Sequence, residues 1–110
     1  MIEFRPEISG NTVIYLSYED SECTGKVILT LDSLTHSTLH SVTAVNEETA
    51  EGLIRSALTA AANRSVFSVN YSASDFIDIA VCLGFKERKG VLYGEIPFLL
   101  SGCCGCSCDK

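Results

Sequence analysis

The sequence predicts an α/β (α+β) chain with a mixed, mainly antiparallel sheet and two packed helices. Three observations predict it. The first 45 residues contain β-rich runs separated by short polar turns. An apolar stripe of helical period then runs from Ala50 to Ala61. After it a short apolar run, a second helical pattern and a final apolar run alternate, as a β-α-β order requires.

Ile2 to Arg5 reads as a strand ending at Pro6, and Ser9-Gly10-Asn11 as a turn. Val13 to Tyr18 is rich in β-branched and aromatic residues and reads as the next strand. Glu19 to Gly25 reads as a polar hairpin loop carrying Cys23, and Lys26 to Leu31 as the returning strand. Thr35 to Leu39 is left open between strand and loop, and Leu39 to Val45 reads as a strand.

Ala50, Leu53, Ile54, Ala57, Leu58 and Ala61 recur at i, i+3, i+4, i+7, i+8 and i+11, one face of a helix over about Glu48–Asn63. Glu47, Glu48 and Glu51 stand at its positive N-terminal end, where carboxylates are favourable. Val66 to Asn70 reads as a short strand. Ser72 then resembles an N-cap, with Asp75 three residues on, and Phe76, Ile77, Ala80 and Val81 supply an apolar face that Gly84 ends. Gly90 separates Lys86-Glu87-Arg88-Lys89, read as a charged turn, from a last strand, Val91 to Phe98. The expected order is β-β-β-β-α-β-α-β, with residues 1–100 as one domain and 101–110 as a flexible tail.

The chain has 110 residues and a formal net charge of −6. Residues 1–60 hold nine acids against three bases, and residues 61–110 five of each. An acidic surface of this kind argues against nucleic acid and anionic membranes as partners. No apolar run approaches the ~20 residues a bilayer span needs. The first residues, Met1-Ile2-Glu3-Phe4-Arg5-Pro6, lack the basic and apolar regions of a signal peptide, so the expected location is the cytoplasm.

Four of the six cysteines, Cys103, Cys104, Cys106 and Cys108, lie within six residues of one another. Thiolates at Cys-x-Cys spacing chelate soft ions such as Zn²⁺ or Cu⁺, and adjacent flexible thiols also exchange readily. A segment so short needs further ligands, from a second chain or from the domain, to close a tetrahedral shell. Metal binding, thiol redox chemistry and a tail ordered only within a complex all fit this pattern. His36 and His40 are four apart in a β-rich context, which favours a solvated or hydrogen-bonded pair over a metal site. Tyr15, Tyr18, Tyr71 and Tyr93 read as core or cross-strand residues. Cys82, between Val81 and Leu83, reads as core packing.

The element order over roughly residues 12–98, with Leu83-Gly84-Phe85 closing the second helix before a charged turn and last strand, resembles the GNAT acyltransferase superfamily. The resemblance implies a CoA pyrophosphate at the start of the main helix, near Val45, Thr49 and Ala50, with Val42 to Val45 backbone groups for the acyl carbonyl. The family's first two helices have no counterpart here. The glycines of its phosphate loop fall near Glu48 and Ala50, and the local run is Asn46-Glu47-Glu48-Thr49-Ala50-Glu51, three carboxylates where a pyrophosphate would sit. The tyrosine that protonates the departing thiolate falls at Ala80. Standard acetyl transfer is therefore expected to be lost. An acyltransferase with atypical recognition of acetyl-CoA is the alternative, and a homodimeric interaction module a third.

Overall fold

The computed structural model describes residues 2–101. The chain forms β1 (Ile2–Ser9), β2 (Thr12–Glu19), β3 (Glu22–Leu31), β4 (His36–Ala44), α1 (Glu47–Ala62), β5 (Ser68–Tyr71), α2 (Ile77–Leu83), β6 (Lys86–Arg88), β7 (Val91–Glu95) and α3 (Ile96–Ser101). The strands make one sheet in the order β1-β2-β3-β4-β5-β7-β6. Only β4 and β5 are parallel, and α1 crosses between them.

Tight hairpins set the antiparallel registers. Asp20 and Ser21 between β2 and β3 both have positive φ, as do Lys89 and Gly90 between β6 and β7. Two such residues in succession give the turn whose twist matches paired strands. The β2–β3 connection is thus two residues long, and Cys23 lies on β3 rather than in a loop. Pro6 does not end the first strand. β1 is an edge strand paired only with β2, and an edge tolerates a residue with no N–H.

Two further expectations are corrected. Ser72 to Phe76 is loop, and α2 begins at Ile77 after Phe76, which sits in the left-handed region with no side-chain cap bond. The expected last strand ends at Glu95, where the chain turns into α3; Leu99 folds back onto Gly94, whose missing side chain leaves the room. The run Lys86-Glu87-Arg88 is a short edge strand, not a turn.

The stripe read on the main helix is the core. Ala50, Leu53, Ile54, Ala57, Leu58 and Ala61 are each 0% exposed. They pack against Val13, Val27, Leu29, Leu39 and Val42 of the sheet. Truncating a side chain such as Leu53 to Ala here costs about 2–5 kcal/mol. The close approach of α1 to the sheet depends on Gly25. A Cβ there would lie 2.6 Å from the Thr43 carbonyl oxygen and 2.8 Å from Leu53 Cδ1. α2 and α3 both contact α1, on the same side.

The opposite face has no helix among the described residues. Of the residues that alternate onto it, Ile14, Leu16, Tyr18, Ile28, Thr38 and Tyr93 are half-buried, Glu7, Lys26, Arg88 and Val91 are exposed, and none is buried. The described chain is correspondingly flat, with extents of 39 × 39 × 23 Å. That thickness is one sheet layer plus one helix layer.

Candidate functional site

β4 is longer than its partnership with β5. The two strands pair from His36↔Ser68 to Leu39↔Tyr71, and the Ser72 N–H donates to the Leu39 carbonyl at 2.8 Å. β4 then runs on to Ala44 with no strand beside it on that edge among the described residues. A bulge sits where the strands part: Ile28 pairs with Ser41 and Leu29 with Leu39, leaving His40 as the extra residue. A bulge bends its strand and sharpens the local twist. The outcome is a notch whose one wall is the free backbone edge of residues 40–44. A separate cleft of ≈ 570 Å³ lies between α2 and the β6–β7 hairpin, lined by Tyr71, Ile77, Val81, Glu87, Val91 and Leu92, with no residue of β4 in its wall.

The N-terminus of α1 closes the end of the notch. Asn46 is its N-cap, and the Asn46 side-chain oxygen accepts from the Thr49 N–H at 2.8 Å. The Ala50 N–H donates to the Asn46 carbonyl at 3.1 Å. Two of the three residues expected to hold a cofactor thus have their N–H groups committed to Asn46. The third, Val45, is 65% exposed and donates its N–H to the Thr24 carbonyl. The Thr49 side chain is buried, and its hydroxyl has no hydrogen-bond partner among the described residues. Arg55 neutralises Glu51 across one turn at 3.0 Å. Glu47 and Glu48 have no ion-pair partner among the described residues and leave the first turn negative.

No strong proton donor faces the notch from the expected place. Ala80 is 0% exposed, inside the core. Tyr71, at the end of β5, gives its hydroxyl proton to the Asp75 carbonyl at 2.5 Å. Burial, with Asp75 beside it, pushes the Tyr71 phenol up to about 12, so it stays protonated and engaged.

The two histidines lie on the helix-free face in a polar cluster that sequence reading did not assemble. Ser68 Oγ donates to the Thr35 carbonyl at 2.7 Å, so its contact with His36 Nδ1 at 2.9 Å is donated by the imidazole. Thr30 Oγ1 donates to Asp32 at 2.9 Å, so His40 Nε2 is likewise the donor to Thr30 at 2.7 Å. Thr38 also donates to Asp32. Those hydroxyls, Thr38 foremost, hold the Asp32 carboxyl below its usual range. A serine whose proton is already given away is not an activated nucleophile, so the Ser-His-Asp composition is structural here. The sequence signal was available only as Thr-x-Asp at 30–32, and the strand register was needed to bring Thr38 and His40 to it.

No group of three or more metal-ligating side chains converges among the described residues. Cys103, Cys104, Cys106 and Cys108 lie outside them. Cys82 packs half-buried against the core, but it is disulfide-bonded and not a free packing thiol. No described helix is long and apolar enough to cross a membrane.

No protein-family model and no curated protein matches the chain. Solved structures do. A GNAT family acetyltransferase from Elizabethkingia anophelis, with acetyl-CoA bound, superposes at a TM-score of 0.70 with 12% identity, covering 86% of this chain and 97% of that one. The chain has a GNAT-like fold. Ard1 from Thermoplasma volcanium gives a TM-score of 0.59 at 14% identity over 74% of this chain and 69% of its own. The aminoglycoside 6′-N-acetyltransferase from Enterococcus faecium gives 0.54 at 12% identity, with 58% of this chain covering only 39% of that enzyme. At these identities the GNAT-like likeness is one of fold. The first comparison also establishes that the fold exists at nearly this length.

Proposed function

We propose that the GNAT-like domain binds an acyl thioester in the β4–β5 notch, holding the pantetheine end and gaining little from the nucleotide end. One observation carries this reading: the free edge of β4 beyond Leu39, parted from β5 at the His40 bulge. An extended amide-bearing arm pairs with such an edge as an added strand does. The bound acetyl-CoA of the Elizabethkingia structure supports the ligand class. The first turn of α1 argues for weak pyrophosphate binding. Like charges there cost roughly 1–4 kcal/mol per pair at surface dielectrics. With Ala80 buried and Tyr71 committed to Asp75, acetyl transfer by the usual proton donor is not part of the proposal. Of Val45, Thr49 and Ala50, the residues that the resemblance implies, Val45 alone is exposed to a ligand.

Calorimetry with acetyl-CoA tests this. Binding in the micromolar to sub-millimolar range supports it, and no heat at millimolar ligand overturns it.

The cysteine tail supplies a second reading, supported by its sequence pattern alone: Cys103, Cys104, Cys106 and Cys108 hold Zn²⁺ or Cu⁺, or exchange disulfides, in a cytoplasmic protein. Native mass spectrometry of reduced, chelator-free protein beside a quadruple Cys→Ser variant decides it. A metal mass absent from the variant supports a ligand set. A bare mass in both removes the metal and leaves thiol exchange.

A further inference from the structure

We propose that the helix-free face of the sheet is the interface between two copies of this chain, related by a two-fold axis parallel to β4. The face is large and has no cover among the described residues. Its apolar patch, beside the polar cluster on the central β4, is Ile14, Leu16 and Tyr18 on β2 and Ile28 on β3, all half-buried among the described residues. On the other flank Val91 is 40% exposed, and Tyr93 lies beside it.

Charge at the two edges selects the arrangement. β1 presents Glu3, Arg5 and Glu7 on this face, opposite Tyr18, Leu16 and Ile14. Arg5 is paired with Glu3 at 2.8 Å, so Glu7 is the uncompensated charge of that edge. β6 presents Lys86 and Arg88, with the Arg88 guanidinium 4.5 Å above the Tyr93 ring on the same face. One edge is acidic and the other basic, each three strands from the central β4.

A two-fold axis along β4 keeps height along the strands and exchanges left with right. It therefore lays β1 over the partner's β6 and β2 over the partner's β7. The ladders put the matching residues at one height. Glu7 pairs with Ile14, Ile14 with Ile28, and Ile28 with Ser41, about four ladder steps above His36 when the bulged His40 is discounted. On the other flank His36 pairs with Ser68 and Ser68 with Glu95; Val91 lies four residues from Glu95 and pairs with Arg88. Glu7 thus meets Arg88 and Ile14 meets Val91, twice each by symmetry. The alternative face-to-face axis, perpendicular to the strands, lays β1 on β1 and β6 on β6, so each charged edge meets an edge of its own sign. A twisted sheet is a saddle, and a saddle turned about its own strand direction nests on itself, as aligned sheet pairs do. Extents of 39 × 39 Å leave ample room for the roughly 800 Å² per partner that a specific interface buries.

This inference is independent of thioester binding. Sedimentation equilibrium under reducing conditions tests it, on wild type, Glu7→Arg, Arg88→Glu and the double reversal. Both positions are exposed on edge strands, and circular dichroism checks that each variant stays folded. A wild-type dimer is expected, weakened about tenfold or more by either single reversal. The double reversal restores association to within about threefold of wild type, because each pair is re-formed with its signs exchanged. A wild-type monomer at near-millimolar concentration overturns the proposal, the face then being solvated or covered by another partner. So does a dimer indifferent to both single reversals, which would use another surface.

Discussion

The ring of Phe4 on β1 lies against the α-carbon of Gly52 on α1, where any side chain at position 52 would overlap Phe4 Cζ. This contact gives Gly52 a packing role, and it differs in kind from the crowding at Gly25. Phe4 is the movable end of a half-buried side chain on an edge strand. Gly25 is hemmed in by the Thr43 backbone oxygen and by Leu53 within the core. Gly52→Ala also gains helix propensity, about 1 kcal/mol. Its net effect is expected to stay within about 1 kcal/mol, whereas Gly25→Ala loses about 1–3 kcal/mol or more through overpacking. Urea unfolding of the two variants checks the order.

Tyr71 and Asp75 fix the loop that leads into α2. Replacing Tyr71 with Phe removes one buried hydrogen bond, a loss of about 1 kcal/mol at neutral pH. The phenol also makes stability fall in alkali. Its folded value is raised to about 12 from 10.0, so its contribution is complete below pH 10 and is lost as pH rises from there through about 12. The Phe variant should show a flatter alkaline limb in urea midpoints.

Asp32 acts at the other end of the scale. Thr38 and Thr30 donate to its carboxylate and lower its folded pKa, so its stabilising share is present above the ordinary value of 3.8 and disappears as pH falls through the folded value. Asp32→Asn is expected to be less stable than wild type at pH 7. The difference should vanish in acid, and urea midpoints from pH 7 to pH 2 measure it.

The carboxylates of the first turn of α1 make a prediction about ligand choice. Glu47→Gln with Glu48→Gln should tighten acetyl-CoA by about tenfold at low salt, since two like-charge terms are removed. Binding of S-acetylpantetheine, which lacks the pyrophosphate, should be unchanged. Equal effects on both ligands would show that these residues act on the notch as a whole.

Capping can be tested separately. Asn46→Ala leaves the Thr49 N–H without its acceptor and should cost about 1 kcal/mol in urea unfolding.

Much of this architecture is visible in the residues themselves. The six positions from Ala50 to Ala61 name the buried face of α1 directly, because that helix packs on a sheet along one stripe. The elements that escaped reading are those decided by distant partners. Lys86-Glu87-Arg88 has no strand signature and is a strand only because β7 lies beside it. Ile96 to Leu100 is too short and too uniformly apolar to reveal its period, and Leu99 needs the space at Gly94 to turn back. Ser72 and Asp75 imitate a capping box, but Tyr71 holds that stretch as a loop. The free edge of β4 is a mismatch between two strand lengths, and no local pattern records it.

The connectivity also orders assembly in time. β1 to β4 pair only with their neighbours in sequence, through connections of two to four residues, so the meander can form as those residues emerge from the ribosome. β5 cannot take its place until α1 has been synthesised and folded back across the sheet. The notch therefore comes into being only after the meander and α1, and a chain that stops short of β5 does not have it.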